Sequence, residues 1–156
     1  AFSVAMSAAD GQPLGHIHLT AEDRVGGIAT SGQAGRSHSL GIADSVTVLA
    51  ATAATADAAA TLIANAVDIP QHPGIERQPA NVLSPDSDLG QRLVVVSVPP
   101  LTYFEARSAL EAGAALARQM IQAGQITGAA LFLQGQSELV GSGFSELPKS
   151  PEAKYA

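Results

Sequence analysis

Phe2, Val4 and Met6 alternate with small residues, the two-residue period of a half-buried strand. Turn chemistry at Asp10-Gly11-Gln12-Pro13 separates them from a second alternating run, His16-Ile17-His18-Leu19, and the two read as a hairpin. A short strand is predicted through Ile28, ending near Ser31. The β-branched stretch Asp44-Ser45-Val46-Thr47-Val48-Leu49-Ala50 predicts a buried strand. A helix then runs to about Val67, with Thr55 as its cap, Asp57 in its first turn and an alanine face for tight packing. Pro70 and Pro73 stop it.

Residues 71–90 are rich in Pro, Asp and Ser and read as a long excursion with one helical turn. A connection of that length covers or binds something. Arg92 to Val98 is the second strong strand, and its continuous apolar centre predicts a central position covered on both faces. Pro99 and Pro100 end it. A long helix is expected from about Thr102 to Ala123, with Ala106, Leu110, Ala114, Ala117 and Ile121 on one stripe. Gly113 inside that helix permits a close backbone approach, and Gly124 stops it. Ala129 to Leu133 is a buried strand that turns near Gly135 and returns through Leu139-Val140. The class is therefore α+β (mixed α/β), a mostly antiparallel sheet with two main helices packed on it. Residues 1–147 make one domain, and the polar stretch 148–156 reads as a flexible tail.

Composition narrows the functional classes. Charged residues are 14% of the chain, well below the usual quarter, which fits a sheet buried on two sides and a surface partly covered by a partner. The net charge is −6, with no Lys/Arg cluster and no aromatic platform, so nucleic-acid binding is not expected. There is no cysteine, which removes disulfides, thiolate metal sites and cysteine nucleophiles. No apolar run reaches the roughly 20 residues of a membrane span, and Ala1 to Ala8 lacks the features of a secretion signal. The expected location is cytoplasmic. Opening directly on a strand leads us to expect a preceding segment or a partner chain, and hence an oligomer.

Two places carry candidate chemistry. Asp57 and Thr61 stand four apart on one helix face, where a carboxylate and a hydroxyl can share a hard cation such as Mg²⁺. The plainer account is that Asp57 complements the helix dipole and Thr61 turns its methyl inward. The loop from Thr30, Ser31 and Gly32 through Gly35, Arg36, Ser37 and His38 collects hydroxyls, glycines and two basic side chains. Its glycine amides can approach a phosphate or carboxylate that Arg36 clamps. A nucleophile and base, Ser31 or Ser37 with His38 and Asp44 as orienter, is a further reading, as is a purely structural loop. His16 and His18 share a strand face without a third metal ligand nearby, so solvent-facing histidines are expected. His72 reads as a surface loop residue. Ser84, Asp86, Ser87 and Asp88 read as the capping of a short turn.

Taken together, Gly27-Ile28-Ala29-Thr30-Ser31-Gly32, Asp44-Ser45-Val46-Thr47-Val48 and Ala56-Asp57-Ala58-Ala59-Ala60-Thr61 resemble the C-terminal half of the ApbE-type flavin transferase superfamily. Within it the chain looks closest to a prokaryotic branch that shares Gly35-Arg36-Ser37-His38-Ser39, Asn65-Ala66-Val67-Asp68 and Asp86-Ser87-Asp88-Leu89-Gly90, a likeness spanning roughly residues 25–135. The transferases attach FMN to a protein threonine using FAD and Mg²⁺. The resemblance thus implies an ApbE-like half-fold, a flavin (FAD or FMN), a cation on Asp57 and Thr61, and His38 as acid or base. It also implies a pocket shared by the glycine loop and the helix start. The family's His-x-x-Asp-Pro-Arg-Thr-Gly segment is replaced by the shorter Arg36–Asp44 loop, and its N-terminal half with Asn-Gly-Gly-Asp is not in this sequence. A second chain or an N-terminal segment is expected to supply that half. Two other readings stand beside the enzyme component: a structural or interaction subunit, and a small amide or ester hydrolase using a loop serine.

Overall fold

The computed structural model describes residues 1–7, 11, 13–33, 35 and 38–146. The turn at 8–10 and 12, the loop positions Arg36 and Ser37, and the tail 148–156 lie outside them. Among the described residues, nine strands and three helices follow in the order β1 (Phe2–Ser7), β2 (Pro13–Leu19), β3 (Gly27–Ser31), β4 (Ser45–Ala50), α1 (Ala53–Ala66), β5 (Glu76–Pro79), α2 (Ala80–Leu83), β6 (Leu93–Ser97), α3 (Tyr103–Gln122), β7 (Gly128–Leu133), β8 (Gln136–Gly141) and β9 (Phe144–Glu146). Every described strand pairing is antiparallel, so the fold is α+β.

The main sheet has the order β3-β4-β7-β8. Period-2 alternation sends its side chains into two separate cores. Val46, Val48, Ala50, Ala129, Leu131 and Leu133 join α1 and α3 residues such as Ala60, Ile63, Ala109 and Leu110 in the larger one. Leu49, Ala130 and Phe132 face the other way and pack with Met6, Ile17 and Leu19 of a three-stranded outer sheet, β1-β2-β9. The layers are helices, main sheet, outer sheet. Burying both faces explains how so few charges suffice: β4 and β7 are almost wholly inside.

Small residues set the helix distances. A Cβ on Gly113 would sit 2.4 Å from Val67 Cγ2 and 2.8 Å from Leu131 Cδ2, so α3 reaches α1 and β7 only because that position lacks one. Gly124, at φ +70°, ends the helix as expected.

Three expectations need correction. Helix α1 is capped by Thr52, not Thr55: Thr52 keeps an extended backbone and its hydroxyl accepts the Thr55 N–H at 3.2 Å. Asp57 therefore falls in the second turn, past the strongest field of the helix terminus. The run 92–98 is not a central strand covered on both faces. It forms a two-stranded ribbon with β5, with Val94 and Val95 inward and Leu93 and Val96 exposed. Its partner β5, Glu-Arg-Gln-Pro, carries no apolar signal, which is why that stretch of sequence reads as a loop. The short β9 beside β2 likewise has too little pattern to announce itself.

Candidate functional site

The connection between β3 and β4 is the glycine-bearing loop. At its base Gln33 N–H donates to the Ala43 carbonyl at 2.8 Å, and Gly35 N–H to the Gly32 carbonyl at 3.1 Å. The Gly35 amide is thus engaged within the turn. Gly32 takes φ +135°, where an added Cβ would lie 2.6 Å from the Asp44 carbonyl oxygen. The far side of the loop leans on the C-terminal end of α1. Ile42 N–H donates to the Val67 carbonyl at 2.8 Å, and Leu40 N–H to Asn65 Oδ1 at 3.2 Å. At Gly41 a Cβ would sit 2.1 Å from the Ala64 carbonyl oxygen, so only glycine passes.

The β5-α2-β6 unit closes over this loop. Arg77 of β5 donates to the Leu40 carbonyl at 2.9 Å and to Asp68 Oδ1 at 2.6 Å, with both charged side chains largely buried. Val95 N–H of β6 donates to the Ser39 carbonyl at 2.9 Å. Ser84, directly after α2, meets His38: Ser84 Oγ lies 3.1 Å from His38 Nε2 in a half-buried contact. That pairing crosses 46 positions of sequence.

Asp44, at the end of the loop, is committed elsewhere. Its carboxylate accepts the Gln134 N–H at 2.6 Å in the β7–β8 turn. Burial raises its pKa above the ordinary aspartate value, and the Gln134 hydrogen bond offsets part of that rise. No contact among the described residues joins it to His38. Ser31 ends β3, half-buried, with no described hydrogen bond to His38. Thr30 pairs across the strands with Thr47, hydroxyl to hydroxyl at 2.8 Å. The clamp expected of Arg36 and the alternative nucleophile Ser37 lie outside the described residues.

The helix start and the loop meet different ends of α1. Gly27, where β3 begins, touches Thr52 and Ala53, whereas Gly41 touches Ala64 and Val67. Asp57 to Ala64 is seven residues, about 10 Å along the axis. Asp57 and Thr61 are both exposed, and the Thr61 hydroxyl donates to the Asp57 carbonyl at 3.0 Å within the helix. Among the described residues no group of three His, Asp or Glu side chains could hold a metal ion. One exposed carboxylate and a hydroxyl spent on its own helix are a poor fit to Mg²⁺, which wants several oxygen ligands.

The remaining histidines have clear surroundings. His16 and His18 stack loosely on one face of β2 with ring centroids 5.8 Å apart. His72 is not a free surface residue: its Nδ1 accepts the Gly74 N–H at 3.0 Å and its Nε2 lies 3.4 Å from Glu105. Glu105 in turn closes a capping box with Thr102 at the start of α3. Those bonds from Thr102 hold its carboxyl below the usual glutamate range, with His72 a smaller contributor.

The main sheet's two edges differ. On β8, Arg107 of α3 donates to the Ser137 carbonyl at 3.1 Å and pairs with Glu138 at 2.9 Å, so charge and helix cover that edge. The other edge, β3, also packs against a helix, α1, but is Gly-Ile-Ala-Thr-Ser, with neither charge nor proline, and Ile28 and Thr30 are exposed.

Such a fold defines a three-layer α+β protein with a pinned loop and, in β3, an edge strand without charge or proline. The chain belongs to the family described as AbpE bacteria, whose model matches residues 1–139. No curated protein and no solved structure matches it. No helix among the described residues is long and apolar enough to cross a membrane.

Proposed function

We propose that this chain is an interaction component of a larger assembly, completed along β3 by a second chain. The observation that carries this reading is the contrast between the two edges of the main sheet. Soluble proteins guard a terminal strand with charge, proline or a bulge, because its unpaired N–H and C=O groups will take another strand. β8 has such a guard in Arg107 and Glu138; β3 has neither charge nor proline. The low charge of the whole chain supports a surface that is covered in use.

In this reading the Mg²⁺ and flavin chemistry of the transferases is not carried by Asp57 and Thr61. The pinned loop and the β5-α2-β6 unit serve to hold β3 and β4 in place. Native mass measurement of the assembly isolated under mild conditions tests the proposal. A complex of defined stoichiometry is expected, lost in Ile28→Lys, which places a charge on the edge strand. A wild-type chain that stays monomeric at tens of micromolar, roughly the range of weak specific association, contradicts it.

A further inference from the structure

The His38–Ser84 contact has the make-up of a reactive pair. Ser84, and Ser39 next to His38, are fixed by bonds that do not involve it. Ser84 N–H donates to the Ala80 carbonyl at 2.9 Å, and the Ser84 carbonyl accepts from Ser87 N–H at 2.9 Å. Pro85 follows and restricts the Ser84 backbone further to its extended conformation. On the other side, Val95 N–H holds the carbonyl of Ser39, and the Ser39 hydroxyl donates to Gly41. The loops therefore stay together without the side-chain contact. Ser84 Oγ is left with an imidazole nitrogen at 3.1 Å, within the reach a base needs to take a hydroxyl proton.

The surroundings indicate what would bind. Val82 and Leu83 immediately precede Ser84 and are exposed, Val82 at 66%. Ala80 N–H is bonded to the Arg92 carbonyl at 2.9 Å, which brings the start of β6, with exposed Leu93, beside α2. Exposed aliphatic residues on α2 and at the start of β6, around the backbone of Ser84, suit a short apolar acyl group better than an anionic one.

We propose that Ser84 and His38 are the nucleophile and general base of an acyl-transfer site for short-chain esters. With the ring hydrogen on Nδ1, His38 Nε2 accepts the Ser84 proton as Oγ bonds to the ester carbonyl carbon. The bond to the alcohol oxygen breaks, and the alcohol leaves with that proton. Water, losing a proton to the same nitrogen, then attacks the acyl-serine, releases the carboxylic acid and restores the hydroxyl. This site does not depend on the assembly proposed at β3.

A fluorophosphonate probe with mass mapping of the adduct tests it. One adduct on Ser84 is expected, absent in Ser84→Ala and formed at least about a hundredfold more slowly in His38→Gln, the usual contribution of a positioned base. No adduct on the wild-type chain, an adduct on another serine, or a rate unchanged in His38→Gln overturns it. Mapping on the wild type needs no variant, so the test stands even where a substituted chain fails to fold.

Discussion

The Asp44 carboxylate accepts the backbone N–H of Gln134 at 2.6 Å, tying the entrance of β4 to the β7–β8 turn across 90 positions of sequence. Gln134 needs the help. It takes φ +44° ahead of Gly135 at +76°, the two left-handed residues of a tight hairpin, where glutamine is a poor choice. Its side chain is occupied as well, accepting from Leu101 N–H and donating to the Pro99 carbonyl, both at 2.8 Å.

A pH dependence follows from the raised pKa of Asp44. An acid whose folded pKa lies above its unfolded value contributes fully below that unfolded value, here 3.8, and loses the contribution as pH rises through the folded pKa. Asp44→Asn keeps an acceptor for Gln134 and removes the charge. It is expected to be at least as stable as wild type at pH 7, with the gap closing toward pH 4. Asp44→Ala also removes the acceptor; it should lose about 1 kcal/mol near pH 4 and less at pH 7, since it removes the same titration. Thermal unfolding of the three proteins at the two pH values checks both statements.

At Gly41 the loop and α1 are too close for any side chain. With the Ala64 carbonyl oxygen 2.1 Å from a built Cβ, and backbone on both sides, Gly41→Ala should cost about 3 kcal/mol. Urea unfolding measures this directly. A variant of unchanged stability would mean that the loop does not rest on α1.

Arg77 holds the ribbon to the loop through Asp68 and the Leu40 carbonyl. Arg77→Met would strand the Asp68 carboxylate in a largely buried place. We expect a loss of about 2 kcal/mol, less than for a fully buried pair because each side chain keeps some solvent contact. The Arg77→Met, Asp68→Leu double variant should recover most of it, readable as a coupling in a double-mutant cycle.

The pattern of hydrophobic positions made the layers legible. β4 and β7 alternate between two apolar faces, α1 and α3 carry alanine stripes, and Gly113 and Gly124 mark an approach and a stop. It failed where pattern is thin or misleading. β6 has a buried strand's composition but lies in a ribbon, and β5 is polar because only one of its faces meets the core. The site was less readable still. Spacing can place Asp57 and Thr61 on one helix face, but nothing local says that α1 runs back toward the loop, so that the loop meets its other end. Nor can spacing join His38 to Ser84, because that contact is made by how the β5-α2-β6 unit folds over.

Acid should loosen the start of α3. Glu105, whose carboxyl titrates below its ordinary value, contributes above about pH 4.5, and the contribution is lost as pH falls through its folded pKa. Glu105→Gln keeps an acceptor for Thr102 and removes that titration. Its melting temperature should therefore depend less on pH between 5 and 3 than that of wild type, as followed by circular dichroism.

Whether a partner completes the main sheet is read most sharply by hydrogen–deuterium exchange of the β3 amides, in the assembly and in the Ile28→Lys chain. Protection along Gly27–Ser31 is expected to rise in the assembly and to be lost in the variant, while β7 stays protected in both. Equal exchange along β3 in an intact assembly and in the separated chain would contradict an edge completed by a partner.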